Sequence, residues 1–287
     1  MNRKDVQLIL KNLNIEPTKR LGQNFLIDNN TRDTIINQAR VSQNDIILEI
    51  GPGLGALTEK LVESAKKVYA IEIDSRLFKF LRNKFSNYNN LTIINSDILQ
   101  FDLPEYNKVV SNLPYSITGQ ILEKIFFREN PPHGILTIEE AIADRIFSQK
   151  NYKNLSRITI SVNTFMKPVE KRKISRNSFY PTPNIDLTLI NLFPREIIDE
   201  FLIEKTKRLF YLKILSGIMP FKNKNLSNAL ELFLKKKLYL DLNKKIISNI
   251  LHKNNIIDNK VYRYSISDFV KISKIFYDEI ELKEMGD

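Results

Sequence analysis

Short apolar runs alternate with helical patterns of hydrophobic residues from about residue 30 to residue 147, and no other feature restricts the fold as strongly. The runs that have the character of buried strands are 46–50, 68–73, 91–95, 107–111 and 134–139. Strands that alternate with helices are typical of a mostly parallel sheet. The sequence therefore predicts an α/β fold for this part of the chain.

The remaining chain predicts a second, helical part. The segments 157–165 and 185–192 alternate like strands, and we expect them to close the sheet as an antiparallel pair. After Pro194 the hydrophobic spacing becomes helical and strand signals end. We therefore predict two domains, residues 1–194 and residues 195–287, of which the second is small and all-helical.

A glycine cluster marks a candidate ligand site. Three of the eight glycines, at 51, 53 and 55, lie between the run 46–50 and an amphipathic helical pattern. Glycine weakens strands and helices, so the cluster indicates a turn where the main chain approaches a ligand. The next two runs lead to Glu72 and Asp97, where acids can bind a ribose and an adenine amino group. Each acid alone fits a solvated loop carboxylate or a helix N-cap equally well, and their order along the chain favours a nucleoside site.

Asn112, Leu113, Pro114 and Tyr115 follow the fourth run. The amide oxygen of Asn112 and the carbonyl of Leu113 can accept hydrogen bonds from an exocyclic amino group. Pro114 has no N–H and fixes a turn, and Tyr115 can stack on a planar base. Taken alone, these four residues favour a proline turn with a core tyrosine, and the upstream nucleoside pattern makes the base site the better interpretation.

The positive charge is concentrated in one segment. The chain carries a net charge of +11, and the segment from Lys205 to Arg263 holds 14 basic and three acidic residues, which is the whole excess. A lysine-rich solvated surface is the simpler interpretation of any single run, but a 59-residue segment with this imbalance favours a polyanionic partner such as RNA.

Composition restricts the remaining possibilities. The chain contains no cysteine, which excludes disulfides and fits a cytoplasmic protein. Its two histidines, His133 and His252, are far apart in sequence, so we expect no metal. No apolar run approaches the ~18 residues of a membrane span, so we expect no membrane association.

In this order, the motifs resemble those of the ribosomal RNA adenine dimethylases. The resemblance extends from about residue 15 to about residue 280, and the tail from Val261 onward is closer to the archaeal members. The matching segments are 20–26, 48–55, 71–74, 95–97, 112–115, 177–183 and, more weakly, 221–230.

The resemblance implies a class I methyltransferase that uses S-adenosyl-L-methionine, releases S-adenosyl-L-homocysteine and needs no metal. Its implied fold is a Rossmann-like, mostly parallel seven-stranded sheet with a small C-terminal helical RNA-binding domain. Its implied reaction is dimethylation at N6 of two adjacent adenosines in the 3′-terminal hairpin of small-subunit (16S) ribosomal RNA. We expect a cytoplasmic monomer that acts on this RNA or on the pre-30S particle.

The resemblance also assigns site residues. Gly51 and Gly53 are expected to approach the methionine portion of the cofactor, Ile73 and Ile98 to enclose its adenine, and Phe179 to cover the second face of the target base. The predicted catalytic residues are Asn112, Leu113, Pro114, Tyr115 and Phe179. The predicted cofactor-binding residues are Gln23, Asn24, Leu26, Gly51, Gly53, Glu72, Ile73, Asp97, Ile98 and Asn112.

Departures from the family pattern occur at Glu139, Ala141 and Lys153, and they concern the RNA-contacting surface. Two alternatives stay open within RNA biology: a 23S ribosomal RNA adenine N6-methyltransferase of the erythromycin-resistance type, and a non-catalytic ribosome-assembly or RNA-binding factor. An NAD-dependent oxidoreductase is disfavoured, because the glycine turn lacks the Gly-x-x-Gly spacing and because Asn112–Tyr115 would have no role.

Overall fold

The protein is built around one seven-stranded sheet, seen in a computed structural model that describes residues 2–18, 22–148, 155–235 and 242–284. The helices are α1 (Arg3–Asn12), α2 (Asn29–Ala39), α3 (Thr58–Ser64), α4 (Ser75–Lys84), α5 (Thr118–Phe126), α6 (Glu140–Phe147), α7 (Arg157–Phe165), α8 (Lys205–Ile218), α9 (Leu226–Phe233), α10 (Lys244–Lys253) and α11 (Ile266–Glu284). The strands are β1 (Phe25–Leu26), β2 (Ile46–Ile50), β3 (Lys67–Glu72), β4 (Leu91–Asn95), β5 (Lys108–Asn112), β6 (His133–Glu139), β7 (Met166–Ile174), β8 (Phe179–Tyr180) and β9 (Leu187–Pro194). Arg20 and Leu21, which open the matching segment 20–26, lie outside the described residues, as does Lys153.

The sheet confirms the predicted fold class. Its strand order is β4-β3-β2-β5-β6-β9-β7, the strands from β4 to β6 are parallel, and β9 runs antiparallel to both of its neighbours. All five predicted parallel strands are present within about one residue of their expected positions. β2, β3, β5 and β6 are buried on both faces of the sheet. Strands buried in this way consist of nearly continuous hydrophobic residues, which is why the sequence shows them as apolar runs.

One predicted strand was wrong. Residues 157–165 form α7, and the strand that pairs with β9 is β7, which follows directly. Alternation misled here because every α7 residue from Thr159 to Phe165 is buried, so its apolar pattern shows no single helical face. β7 gave no apolar signal because it is an exposed edge strand with a bulge between Pro168 and Glu170 and a charged run beyond it. Charged side chains and proline are common devices on edge strands.

The strand order reverses between β2 and β5. After β2 the chain continues to β3 and β4 on one side of the sheet, whereas after β5 it continues to β6 on the other side. Reversals of this kind leave a crevice at the carboxyl ends of the strands, where α/β proteins bind their ligands. The glycine turn after β2 and the Asn112 end of β5 both lie at this crevice.

A small two-stranded sheet ties distant segments to the crevice. β1 pairs antiparallel with β8, with Phe25 opposite Tyr180 and Leu26 opposite Phe179. α1 packs on the same region through an apolar cluster of Val6, Leu10, Ile15, Phe25, Leu54 and Leu77. The N-terminal segment is therefore held beside the strand ends by burial and by strand pairing.

The chain divides into two packing units. The first comprises residues 1–126, 130–144 and 166–194, and the second comprises residues 127–129, 145–165 and 195–287. α7 groups with the C-terminal helices because Thr164 hydrogen-bonds to the buried Tyr211 hydroxyl over 2.6 Å and Phe165 stacks on Phe127. The C-terminal helical region is present as expected, while the functional boundary between residues 194 and 195 stays a prediction. Among the described residues, none of the helices has the length and apolar character to cross a membrane.

Gly51 and Gly55 in the turn after β2 are required for different reasons: Gly51 for its backbone conformation alone, and Gly55 also for the lack of a side chain. An added Cβ at Gly55 (φ +79°) would lie 2.5 Å from the Phe85 ring, whereas at Gly51 (φ +64°) it would meet nothing within 4 Å. Gly51→Ala should therefore cost only the left-handed backbone energy, about 1–2 kcal/mol. Gly55→Ala should cost about 1–3 kcal/mol more through overpacking. Chemical denaturation checks this difference, and equal losses for both variants would contradict it.

Candidate functional site

A pocket opens at the carboxyl ends of β2, β3 and β5 in the first unit. It brings together ten of the predicted site residues: Gln23, Asn24, Gly51, Gly53, Glu72, Ile73, Asp97, Ile98, Asn112 and Pro114. A smaller neighbouring pocket shares Asn24, Gly51, Gly53 and Asn112 with it and is also lined by Leu26. Leu113, Tyr115 and Phe179 line neither pocket.

Glu72 is the buried acid of the main pocket. Its side chain accepts hydrogen bonds from the N–H of Gly53 (3.2 Å) and the N–H of Asp74 (3.0 Å), which fix both carboxyl oxygens. Burial is the largest influence and raises the pKa of Glu72 to about 7 despite these donors. The group therefore changes charge near neutral pH, and a ligand that donates hydrogen bonds to it favours the ionised form.

Glu49 is a second buried acid, at the end of β2. Its Oε2 accepts a hydrogen bond from Thr58 Oγ1 over 2.7 Å, and it lines the smaller pocket. Burial raises the pKa of Glu49 to about 8, and the nearby Glu72 adds to this shift. Two carboxyl groups with raised pKa values thus lie beside the glycine turn.

Gln23 lines the pocket, but its side chain is already bound to protein groups. Its Nε2 donates to Asp74 Oδ2 (3.2 Å) and its Oε1 accepts from the Thr18 N–H (3.0 Å). Asp74 caps α4 and forms two further hydrogen bonds with Arg76, whose guanidinium lowers the pKa of that carboxyl. Gln23 therefore holds the N-terminal segment against the start of α4.

The apolar walls of the pocket differ in exposure. Ile73 is 51% exposed although it directly follows β3, whereas Ile98 is buried. Asp97 accepts a hydrogen bond from the Leu99 N–H over 2.8 Å, so it also stabilises the turn after β4. Ile73 and Asp97 both line the pocket. A flat heterocycle can cover an exposed isoleucine such as Ile73 while its amino group donates a hydrogen bond to the Asp97 carboxylate.

Asn112 has a fixed amide orientation. Its Nδ2 donates to the main-chain carbonyl of Asn24 over 3.2 Å, which leaves its Oδ1 as the acceptor of the amide. The Tyr115 hydroxyl donates to that oxygen over 3.4 Å, a long bond that leaves acceptor capacity for a ligand. Burial raises the pKa of Tyr115, which keeps its hydroxyl protonated.

Phe179 is placed differently from a base-stacking residue with an open face. It is 0% exposed and belongs to the apolar core cluster that also contains Leu26, with the Tyr115 side chain packed against it. Its predicted stacking on a target base would require the covering side chains to move. That role stays a prediction, while Phe179 pairs with Leu26 and so joins β8 to β1.

The pocket contains residues that sequence reasoning did not single out. Phe25, Leu77, Ser96 and Ile117 line it. Phe25 lies in the N-terminal motif 20–26, between the predicted ligand residues Asn24 and Leu26, and that position is the signal by which it could have been found. Leu77 carries no comparable signal, since its helical spacing in α4 predicts only a core contact.

Comparison with known families gives one extended match. The family model described as ribosomal RNA adenine dimethylase matches residues 14–275. A relative from Clostridium botulinum named ribosomal RNA small subunit methyltransferase A is 33% identical over 268 residues, which cover 91% of this chain and 94% of the relative. A relative from Methanococcoides burtonii, named "Probable ribosomal RNA small subunit methyltransferase A", is 38% identical over 208 residues, covering 72% and 75%. The higher identity is to the archaeal relative.

Solved structures agree with these matches. A dimethyladenosine transferase from Plasmodium falciparum has a TM-score of 0.68 at 25% identity and covers 86% of this chain and 95% of its own. The 23S rRNA methyltransferase ErmE has a TM-score of 0.59 at 25% identity, with 88% and 99% covered. Both similarities extend over most of the chain.

The two buried acids predict how stability changes with pH. In the unfolded chain both ionise near 4.5, whereas in the folded chain they keep their protons up to about 7 and 8. The folded state thus holds more protons in this range, and the unfolding free energy should fall as pH rises, by up to about 1.4 kcal/mol per pH unit for each acid. Glu49→Gln should flatten this decline.

Denaturant titrations at several pH values between 5 and 8.5 check this prediction. Glu105→Gln, which changes an exposed glutamate, is the matched control and should keep the wild-type slope. If Glu49→Gln and the wild type lose stability at the same rate with pH, Glu49 does not hold its proton in the folded state.

Proposed function

Because the chain belongs to the ribosomal RNA adenine dimethylase family, we propose that it dimethylates N6 of two adjacent adenosines in the 3′-terminal hairpin of small-subunit (16S) ribosomal RNA. The protein is a class I methyltransferase, and we propose that it acts as a cytoplasmic monomer on this RNA or on the pre-30S particle during small-subunit biogenesis. The main support for the proposal is that one pocket is lined both by Glu72 and Asp97, the acids predicted to bind a nucleoside, and by Asn112.

The residues of the pocket fit S-adenosyl-L-methionine. When bound, this cofactor supplies an electrophilic methyl group on a sulfonium. We assign the ribose hydroxyls to Glu72 and the adenine amino group to Asp97. The half-exposed Ile73 covers one face of that adenine and Ile98 the other. Gly51 presents open space where any side chain would project, so its main chain can approach the methionine portion.

We assign the target adenine to the end of β5. Its amino group is a weak nucleophile, because the lone pair on nitrogen is delocalised into the ring. Asn112 Oδ1 and the Leu113 carbonyl accept hydrogen bonds from that group, orient it and favour a more pyramidal nitrogen. Pro114 fixes the turn that places both acceptors, and the Tyr115 ring stacks on the base. A base must leave its RNA stack to reach this position.

The second unit supplies positive charge for the RNA backbone. Within the described part of the segment from Lys205 to Arg263, the exposed basic side chains are Lys205, Lys213, Lys224, Lys235, Lys244, Lys245, Lys253, Lys260 and Arg263. Lys236 and Lys237 of the same segment lie outside the described residues. This distribution favours phosphate contacts that carry affinity and no base specificity.

Purified protein, S-adenosyl-L-methionine and ribosomal particles test the proposal. Small subunits that lack the modification should gain N6,N6-dimethyladenosine in the RNA 3′-terminal hairpin, detected by mass spectrometry. Modification confined to large-subunit RNA would instead favour a target of the erythromycin-resistance type. Particle binding without methyl transfer would favour an assembly factor.

Asn112→Ala should remove most of the methyl transfer and leave cofactor binding within about threefold of wild type. The lost oxygen acts on the nucleophile, so the effect should appear in the chemical step. Single-turnover rates at saturating RNA measure it, with calorimetric cofactor titration as the control. Near-normal turnover would assign Asn112 to structure alone.

Glu72→Ala should weaken cofactor binding by about 1.5–3 kcal/mol, because a charge-assisted acceptor of the ribose hydroxyls is lost. Since the pKa of Glu72 is raised to about 7, wild-type affinity should increase as pH rises through 7 and the acceptor ionises. Glu72→Gln should lose this pH dependence. Calorimetric titration between pH 6 and 8 checks both outcomes, and unchanged affinity in a folded Glu72→Ala protein would refute the ribose assignment.

A further inference from the structure

The sheet splits at its carboxyl end between β2 and β5. These strands pair only through Ile47 with Lys108 and Leu48 with Val109, although they continue to Ile50 and Asn112. Each strand keeps its other partner to the end: β2 stays in register with β3 as far as Ile50, and β5 stays in register with β6 as far as Asn112. The separation therefore lies in the middle of the sheet, at the crevice, and not at a frayed edge.

One side chain bridges this split. Ser111, the penultimate residue of β5, is 0% exposed, and its Oγ accepts a hydrogen bond from the main-chain N–H of Ile50 over 2.8 Å. In a continued parallel ladder that N–H would donate to a main-chain carbonyl of β5. A serine hydroxyl replaces the carbonyl here, so the two strands stay bonded beyond the point where their main-chain pairing ends.

The two bonded residues directly precede the two halves of the site. Ile50 lines the pocket and leads into Gly51, which faces the cofactor side. Ser111 leads into Asn112, which is tied on its other side to the Asn24 carbonyl. The Ser111 hydroxyl is thus a short connection between the main chain that holds the methyl donor and the amide that holds the acceptor nitrogen.

We propose that Ser111 is a positioning residue that sets the separation between the cofactor loop and Asn112. The inference rests on the proposed function, since it concerns the distance over which the methyl group is transferred. Loss of the bridge leaves the buried Ile50 N–H without its acceptor, and the two strand ends are then free to shift. Displacements of about 1 Å in reacting groups can reduce rates about 100-fold.

Ser111→Ala tests this role because it removes a single oxygen atom. We expect the single-turnover rate at saturating RNA and cofactor to fall about 10- to 100-fold, whereas the cofactor dissociation constant changes less than about threefold. This division between rate and binding identifies a positioning residue, because a purely structural defect lowers the folded fraction and leaves the rate per folded molecule unchanged. If Ser111→Ala does not fold, Ser111→Cys, which fills the same space with a weak sulfur acceptor, is measured in its place.

Two control variants isolate the bridge. Thr137 lies opposite Asn112 on β6 and is 0% exposed, and its hydroxyl has no hydrogen-bond partner among the described residues, so Thr137→Val should leave the rate unchanged. Asn90 bonds to the Val62 and Ala65 carbonyls at the amino end of the sheet, so Asn90→Ala should lower stability and spare the rate per folded molecule. A Ser111→Ala rate within twofold of wild type, or an equal fall in Asn90→Ala, would overturn the proposal.

The outcome is separable from that of the proposed function. If the wild-type protein does not methylate small-subunit RNA, the proposed function fails before any variant is compared. If the wild type methylates this RNA and Ser111→Ala does so equally fast, only the positioning role of Ser111 fails.

Discussion

The opening of the sheet between β2 and β5 is the constraint on which the site depends. Strands that pair fully along their length leave no room between their ends, and here the ladder stops two residues before the end of β2 and three residues before the end of β5. The strand order reverses at the same place, so the turn after β2 and the segment after β5 leave in opposite directions. A crevice forms there, with the main chain of the glycine turn on one side and the side-chain amide of Asn112 on the other.

Burial gives this crevice its electrical character. Glu49 and Glu72 are both almost inaccessible to water, and each has a pKa raised into the range where cells operate. Such carboxyl groups are costly in the folded protein when ionised and alone. A cationic, hydroxyl-bearing ligand compensates part of that cost, which is a physical reason for a methyl donor with a sulfonium and a ribose to bind here.

The sequence predicted the parallel strands and most of the pocket because both depend on local signals. The strands are continuous apolar runs. Of the predicted ligand residues, Glu72 and Asn112 are the last residues of β3 and β5, and Asp97 lies two residues beyond β4. The predictions from sequence were wrong where tertiary packing, and not local periodicity, determines secondary structure or burial. α7 is buried on every side and β7 is exposed along an edge, so neither shows the periodicity of its class. The burial of Phe179 depends on the pairing of β1 with β8, about 150 residues apart, and no local pattern encodes that contact. The bridge at Ser111 was equally hidden, because a serine in a strand carries no signal of its partner.

The central claim is that this crevice dimethylates adenosines of small-subunit ribosomal RNA. Primer extension and mass spectrometry of ribosomal RNA from a strain without the gene test it most directly, with the gene restored as wild type or as Asn112→Ala. We expect two adjacent adenosines in the 3′-terminal hairpin to lack their N6 methyl groups in the deletion strain, to regain them with the wild type and to stay largely unmodified with Asn112→Ala. Fully dimethylated adenosines in the deletion strain, or equal restoration by both genes, would contradict it.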